Sequence, residues 1–139
     1  MKTEGSVHLQ TVEGTGLRFE ARFPRFRFLL DSGPDATAAN PTLHLLAAIA
    51  ACSAMDVISI LRKKRFEISA YEVSMEGERA ETHPKRSPSV ALVHRVTGRG
   101  VPLEALEEAV RLSAERYCSV RHTLDPGMPV TDRCEVVEG

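Results

Sequence analysis

Asn40-Pro41-Thr42-Leu43-His44-Leu45-Leu46-Ala47-Ala48-Ile49-Ala50-Ala51-Cys52-Ser53-Ala54-Met55-Asp56-Val57 reads as the first part of one long helix. Asn40 is a capping residue, and Pro41 suits a first turn whose N–H needs no partner. Arg62, Lys63, Lys64 and Arg65 put positive charge at the far end, where the helix dipole favours it. Every residue from Leu45 to Cys52 is apolar. A helix with no polar face over two turns has to be enclosed, by sheet on one side and another helix on the other. Ala47, Ala48, Ala50 and Ala51 are small enough to admit a second backbone, which predicts a homodimer; a monomer wrapped by its own strands is the alternative. The apolar run from Leu43 to Leu61 also holds His44, Ser53, Asp56 and Ser59. A carboxylate near its middle makes a membrane span expensive, so the expectation is a core helix and no membrane partner.

Towards the N-terminus the chain reads as short strands broken by turns. Val7, Leu9 and Val12 alternate with polar residues, Glu13-Gly14-Thr15-Gly16 turns, Leu17, Phe19 and Ala21 alternate again, and after Pro24 come Phe26, Phe28 and Leu30. Asp31 to Ala39, with Gly33 and Pro34, is a loop. Beyond the helix, strand character returns at Ile68 to Glu78, where Tyr71, Val73 and Met75 alternate with Glu72, Ser74 and Glu76. His83, Pro84, Ser87 and Pro88 mark a loop, and Val90, Leu92, His94 and Val96 extend a strand to Gly98 and Gly100. Pro102 opens a second helix in which Leu103, Leu106, Val110, Ser113 and Tyr117 share a stripe while Glu104, Glu107, Glu108 and Arg111 face water. A short helical piece at Ser119 to Leu124 stops at Asp125-Pro126-Gly127, and Val130, Cys134 and Val136 fit a last strand. Strands, long helix, strands, helix, strand is the order of an α+β fold with mainly antiparallel sheets, in a single domain over residues 1–139.

The 139 residues are 42% hydrophobic and 27% charged, the composition of a globular chain. Eighteen Lys and Arg stand against 19 Asp and Glu, for a formal net charge of -1. Nothing in that balance attracts nucleic acid or an anionic membrane. Met1 to Gln10 lack the basic start and long apolar stretch of a signal peptide, and Cys52, Cys118 and Cys134 form no C-x-x-C pair. A cytoplasmic address follows as the expectation.

Cys52 sits about three helical turns past Pro41 in the apolar run. A free cysteine there packs as a small hydrophobe, or reacts as a thiolate; mid-helix the dipole is too distant to lower its pKa, so a reactive thiol needs a cation from elsewhere. Arg18, Arg22, Arg25 and Arg27 on the N-terminal strands are candidates, with ordinary solvated faces as their other reading, and Arg121 and His122 are further ones. Cys118, in Arg116-Tyr117-Cys118-Ser119-Val120, stands where a helix ends and its side chain can emerge into a cleft. Cys134, alone on the last strand, packs by default. A metal group of His44, Cys52, Cys118 and His122 lacks ligand spacing.

The run Asn40 to Val57, followed 66 residues after Cys52 by Tyr117-Cys118-Ser119-Val120, resembles the OsmC/Ohr family of thiol-dependent hydroperoxide reductases. The likeness extends over almost the whole chain, and Ala51-Cys52-Ser53-Ala54-Met55-Asp56-Val57 is most similar to the OsmC-like branch. The resemblance implies an intertwined homodimer with its central helices at the middle and active sites at the interface. It implies Cys52 as the peroxidatic cysteine and Cys118 as the resolving one, with a hydroperoxide as substrate, an external thiol or dithiol as reductant, and no cofactor or metal. The family places a glutamate one or two residues after the helix-opening proline, where it orients an activating arginine. Here Thr42 and Leu43 stand there, and neither forms that ion pair. Their presence keeps a second function open: a noncatalytic dimer that binds a small apolar ligand in its interface cleft.

Overall fold

The long helix begins where its own residues require. In the computed structural model, which describes residues 2–10, 14–78, 80–84 and 89–139, α1 spans Pro41–Lys63. Asn40 caps it: the Leu43 N–H donates to Asn40 Oδ1 at 2.9 Å, and the Asn40 carbonyl accepts the first helical bond from His44 at 3.1 Å. Asn40→Ala is expected to lower stability by about 1 kcal/mol, read by thermal denaturation. At the other end Arg65 adopts φ 64°. That left-handed residue lets its N–H reach the Arg62 carbonyl at 2.9 Å and the Phe66 N–H reach Leu61 at 3.3 Å, which satisfies carbonyls the helix leaves open. The sequence expectations for Val12, Glu13, Ser87 and Pro88 lie outside the described residues.

The chain forms two compact units, Met1–Leu45 and Leu46–Gly139. The first holds an antiparallel meander of β1 (Ser6–Leu9), β2 (Phe19–Arg22) and β3 (Arg27–Leu30). Ala21 is its buried residue, opposite Val7 on one side and Phe28 on the other. The expected loop after β3 is organised by Asp31, whose carboxylate accepts the N–H groups of Ser32 (2.8 Å) and Thr37 (2.9 Å). Those two amides, Thr37 before Ser32, hold the Asp31 carboxyl below its ordinary value.

The second unit is a three-stranded sheet in the order β4 (Ile68–Gly77), β5 (Val90–Gly98), β6 (Val130–Glu138). β4 pairs antiparallel with β5, but β6 runs parallel to it, Val90 opposite Val130 and Gly98 opposite Glu138. A parallel neighbour needs a long crossover. The chain between the strands supplies it as α2 (Leu103–Leu112), one π-helical turn (Ser113–Tyr117) and α3 (Ser119–Thr123). In the central strand Val90, Leu92, His94, Val96 and Gly98 are buried in strict alternation. Val57 and Leu61 of α1 pack with Val96, Leu106 and Val110, and Ile49 and Ala50 with Val90 and Leu92.

The alternative of an α1 wrapped by its own chain is corrected here: Ile49, Ala50, Ser53, Val57 and Leu61 are buried, while Ala47, Ala48, Ala51 and Met55 are exposed, Met55 at 68%. The core contacts reach one side of the helix, and the apolar run continues past them. On α2, the stripe of Leu103, Leu106, Val110, Ser113 and Tyr117 holds only in its middle. Leu106, Val110 and Ser113 are buried, but Leu103 and Tyr117 are exposed, at 41% and 54%. Leu103 opens the first turn, and the π turn changes the helical period just before Tyr117, so a stripe drawn at 3.6 residues per turn loses its register there.

Candidate active site

The π turn decides where Cys118 goes. The Cys118 N–H donates to the Ser113 carbonyl, five residues back, at 2.8 Å, and Cys118 then leaves the helix with φ -73° and ψ 97°. Its side chain ends fully buried. The expectation of a thiol emerging into a cleft is therefore reversed, and of the two cysteines the half-buried Cys52 is the accessible one. Cys52 and Asp56 lie four apart on α1 and share a face. The sulfurs of Cys52 and Cys118 and a carboxylate oxygen of Asp56 all lie within 4.8 Å of one another. Ser113, on the same π turn, donates its hydroxyl to Asp56 Oδ2 at 2.7 Å and lies 3.5 Å from the Ser53 hydroxyl. All three cysteines are free thiols.

Burial pushes the Cys118 thiol above its ordinary pKa; the Arg121 main-chain N–H opposes the rise, the neighbouring Cys52 sulfur adds to it, and the Arg121 guanidinium also opposes it. Arg121 is itself held in place. Its two terminal nitrogens grip the Asp132 carboxylate, and its side chain is only 9% exposed. Asp132 also takes His94 Nε2 at 2.9 Å, and His94 Nδ1 meets the Tyr71 hydroxyl at 2.7 Å. Because an ionised carboxylate only accepts, Nε2 of the fully buried His94 carries a proton. Burial alone would raise the Asp132 carboxyl, but His94 and Arg121 outweigh it and hold it below the usual carboxylate range. Cys134, opposite His94 on β6, packs against the core, and burial, Asp132 and Glu107 push its thiol up to about 11. At neutral pH it stays protonated and unreactive.

A family model of OsmC-like proteins matches residues 33–132, a span that holds α1, both cysteines and the π turn. The chain belongs to the OsmC-like family. Protein YhfA of Escherichia coli (strain K12) is 39% identical to it over 111 residues, 80% of this chain and 83% of that protein. A protein of Aquifex aeolicus VF5 superposes with a TM-score of 0.86 at 29% identity, covering 100% of this chain and 98% of its own. The organic hydroperoxide resistance protein OsmC of Legionella pneumophila shares the fold with a TM-score of 0.69 at 17% identity, over 97% of each chain.

Within this OsmC-like chain the sequence-derived residues have separate fates. Cys52 and Cys118 meet. Of the candidate cations, Arg121 lies beside a cysteine, whereas His122 is exposed. In the first unit Arg22 and Arg27 both pair with Glu20, Arg18 bonds Thr37 Oγ1 at 3.2 Å, and Arg25 lies over the Phe26 ring. His44 Nε2 bonds the Leu29 carbonyl at 3.1 Å and its ring packs on Phe28, so His44 is a packed residue. Asp56, not a histidine, is the third ligand-type group beside the two sulfurs. Sequence reasoning assigned it no role, although its four-residue spacing from Cys52 carried the signal. Ser113 was read as a stripe residue, and nothing local announces its bond to Asp56.

Proposed function

We propose that the chain is a thiol peroxidase that reduces organic hydroperoxides, and hydrogen peroxide as a smaller substrate, through Cys52 and Cys118. The observation that carries the reading is the meeting of the two cysteine sulfurs, in an OsmC-like chain, with one thiol reachable and the other buried behind it. The Cys52 thiolate attacks the terminal peroxide oxygen: an S–O bond forms, the O–O bond breaks, and the alkoxide leaves as an alcohol on taking a proton. The Cys118 thiol then attacks the sulfenic sulfur, the S–S bond forms and water leaves. An external dithiol reduces the disulfide. The buried setting that raises the Cys118 thiol suits the resolving role, since a resolving thiol need not be ionised before the sulfenic acid appears. The hydroperoxide resistance role named for the Legionella relative supports the same chemistry. Titration of free thiols before and after one equivalent of cumene hydroperoxide tests it. Two thiols lost per chain, with Cys134 retained, is the expected result; three thiols unchanged would refute it.

The working form in this proposal is a cytoplasmic homodimer. Ala47, Ala48 and Ala51 on the open side of α1 are small enough to receive a second copy of the helix, and Met55 beside them adds apolar surface for it to cover. Sedimentation of dilute protein is expected to give a dimer, and a folded monomer persisting at micromolar concentration would oppose it. Thr42 and Leu43 in place of an acidic residue favour the second reading, a noncatalytic dimer binding an apolar ligand; unchanged thiols after peroxide would select it.

A further inference from the structure

The triangle of Cys52 Sγ, Cys118 Sγ and the Asp56 carboxylate has a chemistry that peroxide reduction does not use. Two cysteine sulfurs and a carboxylate oxygen lie within 4.8 Å of one another, three ligand-type atoms gathered around one small volume. In a tetrahedral zinc site, with Zn–S near 2.3 Å and Zn–O near 2.1 Å, neighbouring ligand atoms stand about 3.5–3.8 Å apart. From separations of up to 4.8 Å the three groups therefore need to close by about 1.3 Å at most to meet that geometry. Two further features suit a metal. The Ser113 hydroxyl donates to Asp56 Oδ2 at 2.7 Å, which fixes the carboxylate as bonds behind metal ligands do. Cys118 is buried while Cys52 and Asp56 are partly exposed, so the group can be approached from solvent on the Cys52 and Asp56 side.

We propose that Cys52, Asp56 and Cys118 bind a thiophilic divalent cation, zinc by preference, as a three-ligand site with water in the fourth position. The ion is not required for peroxide reduction. It occupies the same two thiolates and withholds them from oxidation and alkylation. Soft thiolate donors select zinc over magnesium or calcium, which take oxygen ligands.

The test uses reduced full-length protein with Co2+ as a spectroscopic probe and Zn2+ in competition with a chromophoric chelator. One Co2+ per chain with thiolate-to-cobalt charge-transfer bands and the intense visible bands of a tetrahedral site is the expected result, together with slowed alkylation of two cysteines by iodoacetamide when Zn2+ is present. Ser113→Ala should weaken Zn2+ binding about 10- to 100-fold, and Asp56→Asn and Cys118→Ser by more; Cys134→Ser should not change it. Circular dichroism shows which variants fold, and if Cys118→Ser does not, Asp56→Asn carries the comparison alone. A cobalt spectrum without thiolate charge transfer, or Zn2+ binding unchanged in Asp56→Asn, overturns the site. Peroxide turnover without Zn2+ binding sinks this proposal and leaves the peroxidase reading standing; Zn2+ binding without peroxide turnover does the reverse.

Discussion

Cys52→Ser is expected to abolish hydroperoxide consumption, whereas Cys118→Ser is expected to leave one turnover per chain. The difference follows from their settings. Cys52 is half-buried on α1 and reachable by a substrate, while Cys118 is fully buried at the end of the π turn and carries a thiol that burial holds above its ordinary pKa. A peroxide is therefore expected to meet Cys52 first. With Cys118 removed, the sulfenic acid formed on Cys52 has no partner, so a dimedone-type reagent traps it and excess peroxide drives it to sulfinic acid. Mass spectrometry of the intact chain reads both products. Cys134→Ser should alter neither result, because its thiol, pushed up to about 11, stays protonated in the assay. Wild-type protein that consumes no hydroperoxide and forms no bond between Cys52 and Cys118 under oxidant would remove the peroxidase reading.

Asp132→Ala is expected to destabilise the chain by about 3 kcal/mol, or a drop in Tm of about 10 °C for a chain of this size. The carboxylate joins two cations or donors that have little other recourse: Arg121, with a side chain 9% exposed, and His94, fully buried. Removing it strands a guanidinium away from water and leaves His94 Nε2 without its acceptor. It also frees Arg121 from its fixed place beside Cys118, so the alkylation rate of Cys118 in denaturant-free buffer should change with the melting temperature. Because His94 and Arg121 depress the Asp132 pKa in the folded chain, its contribution is complete above the unfolded-state value of about 4 and is lost as pH falls through the lower native value. Asp132→Asn should remove that acid-limb dependence while retaining more of the packing than alanine does. Equal melting temperatures for wild type and Asp132→Ala would show that the network contributes nothing.

What the residues determined alone is what acts within a turn or two of chain. Asn40 and Pro41 begin α1 where a cap and a missing N–H are tolerated, and α1 runs on to Lys63, within the basic run Arg62 to Arg65. Glu104, Glu107, Glu108 and Arg111 fix the watery face of α2, and alternation fixes β4 and β5. The paired motifs around Cys52 and Cys118 carried the family. The tertiary structure decided the rest, because each remaining feature depends on partners distant in sequence. Asp56 meets Ser113 across 57 positions, and Tyr71, His94 and Asp132 meet from three strands, one of them parallel only because a helical crossover intervenes. The π turn is the sharpest case: a hydrogen bond from Cys118 to Ser113 in place of the α-helical register changes the turn by one residue. Periodicity at 3.6 residues per turn put Tyr117 on the buried stripe, and the expected helix end put Cys118 at an opening; the π turn reversed both, leaving Tyr117 exposed and Cys118 buried.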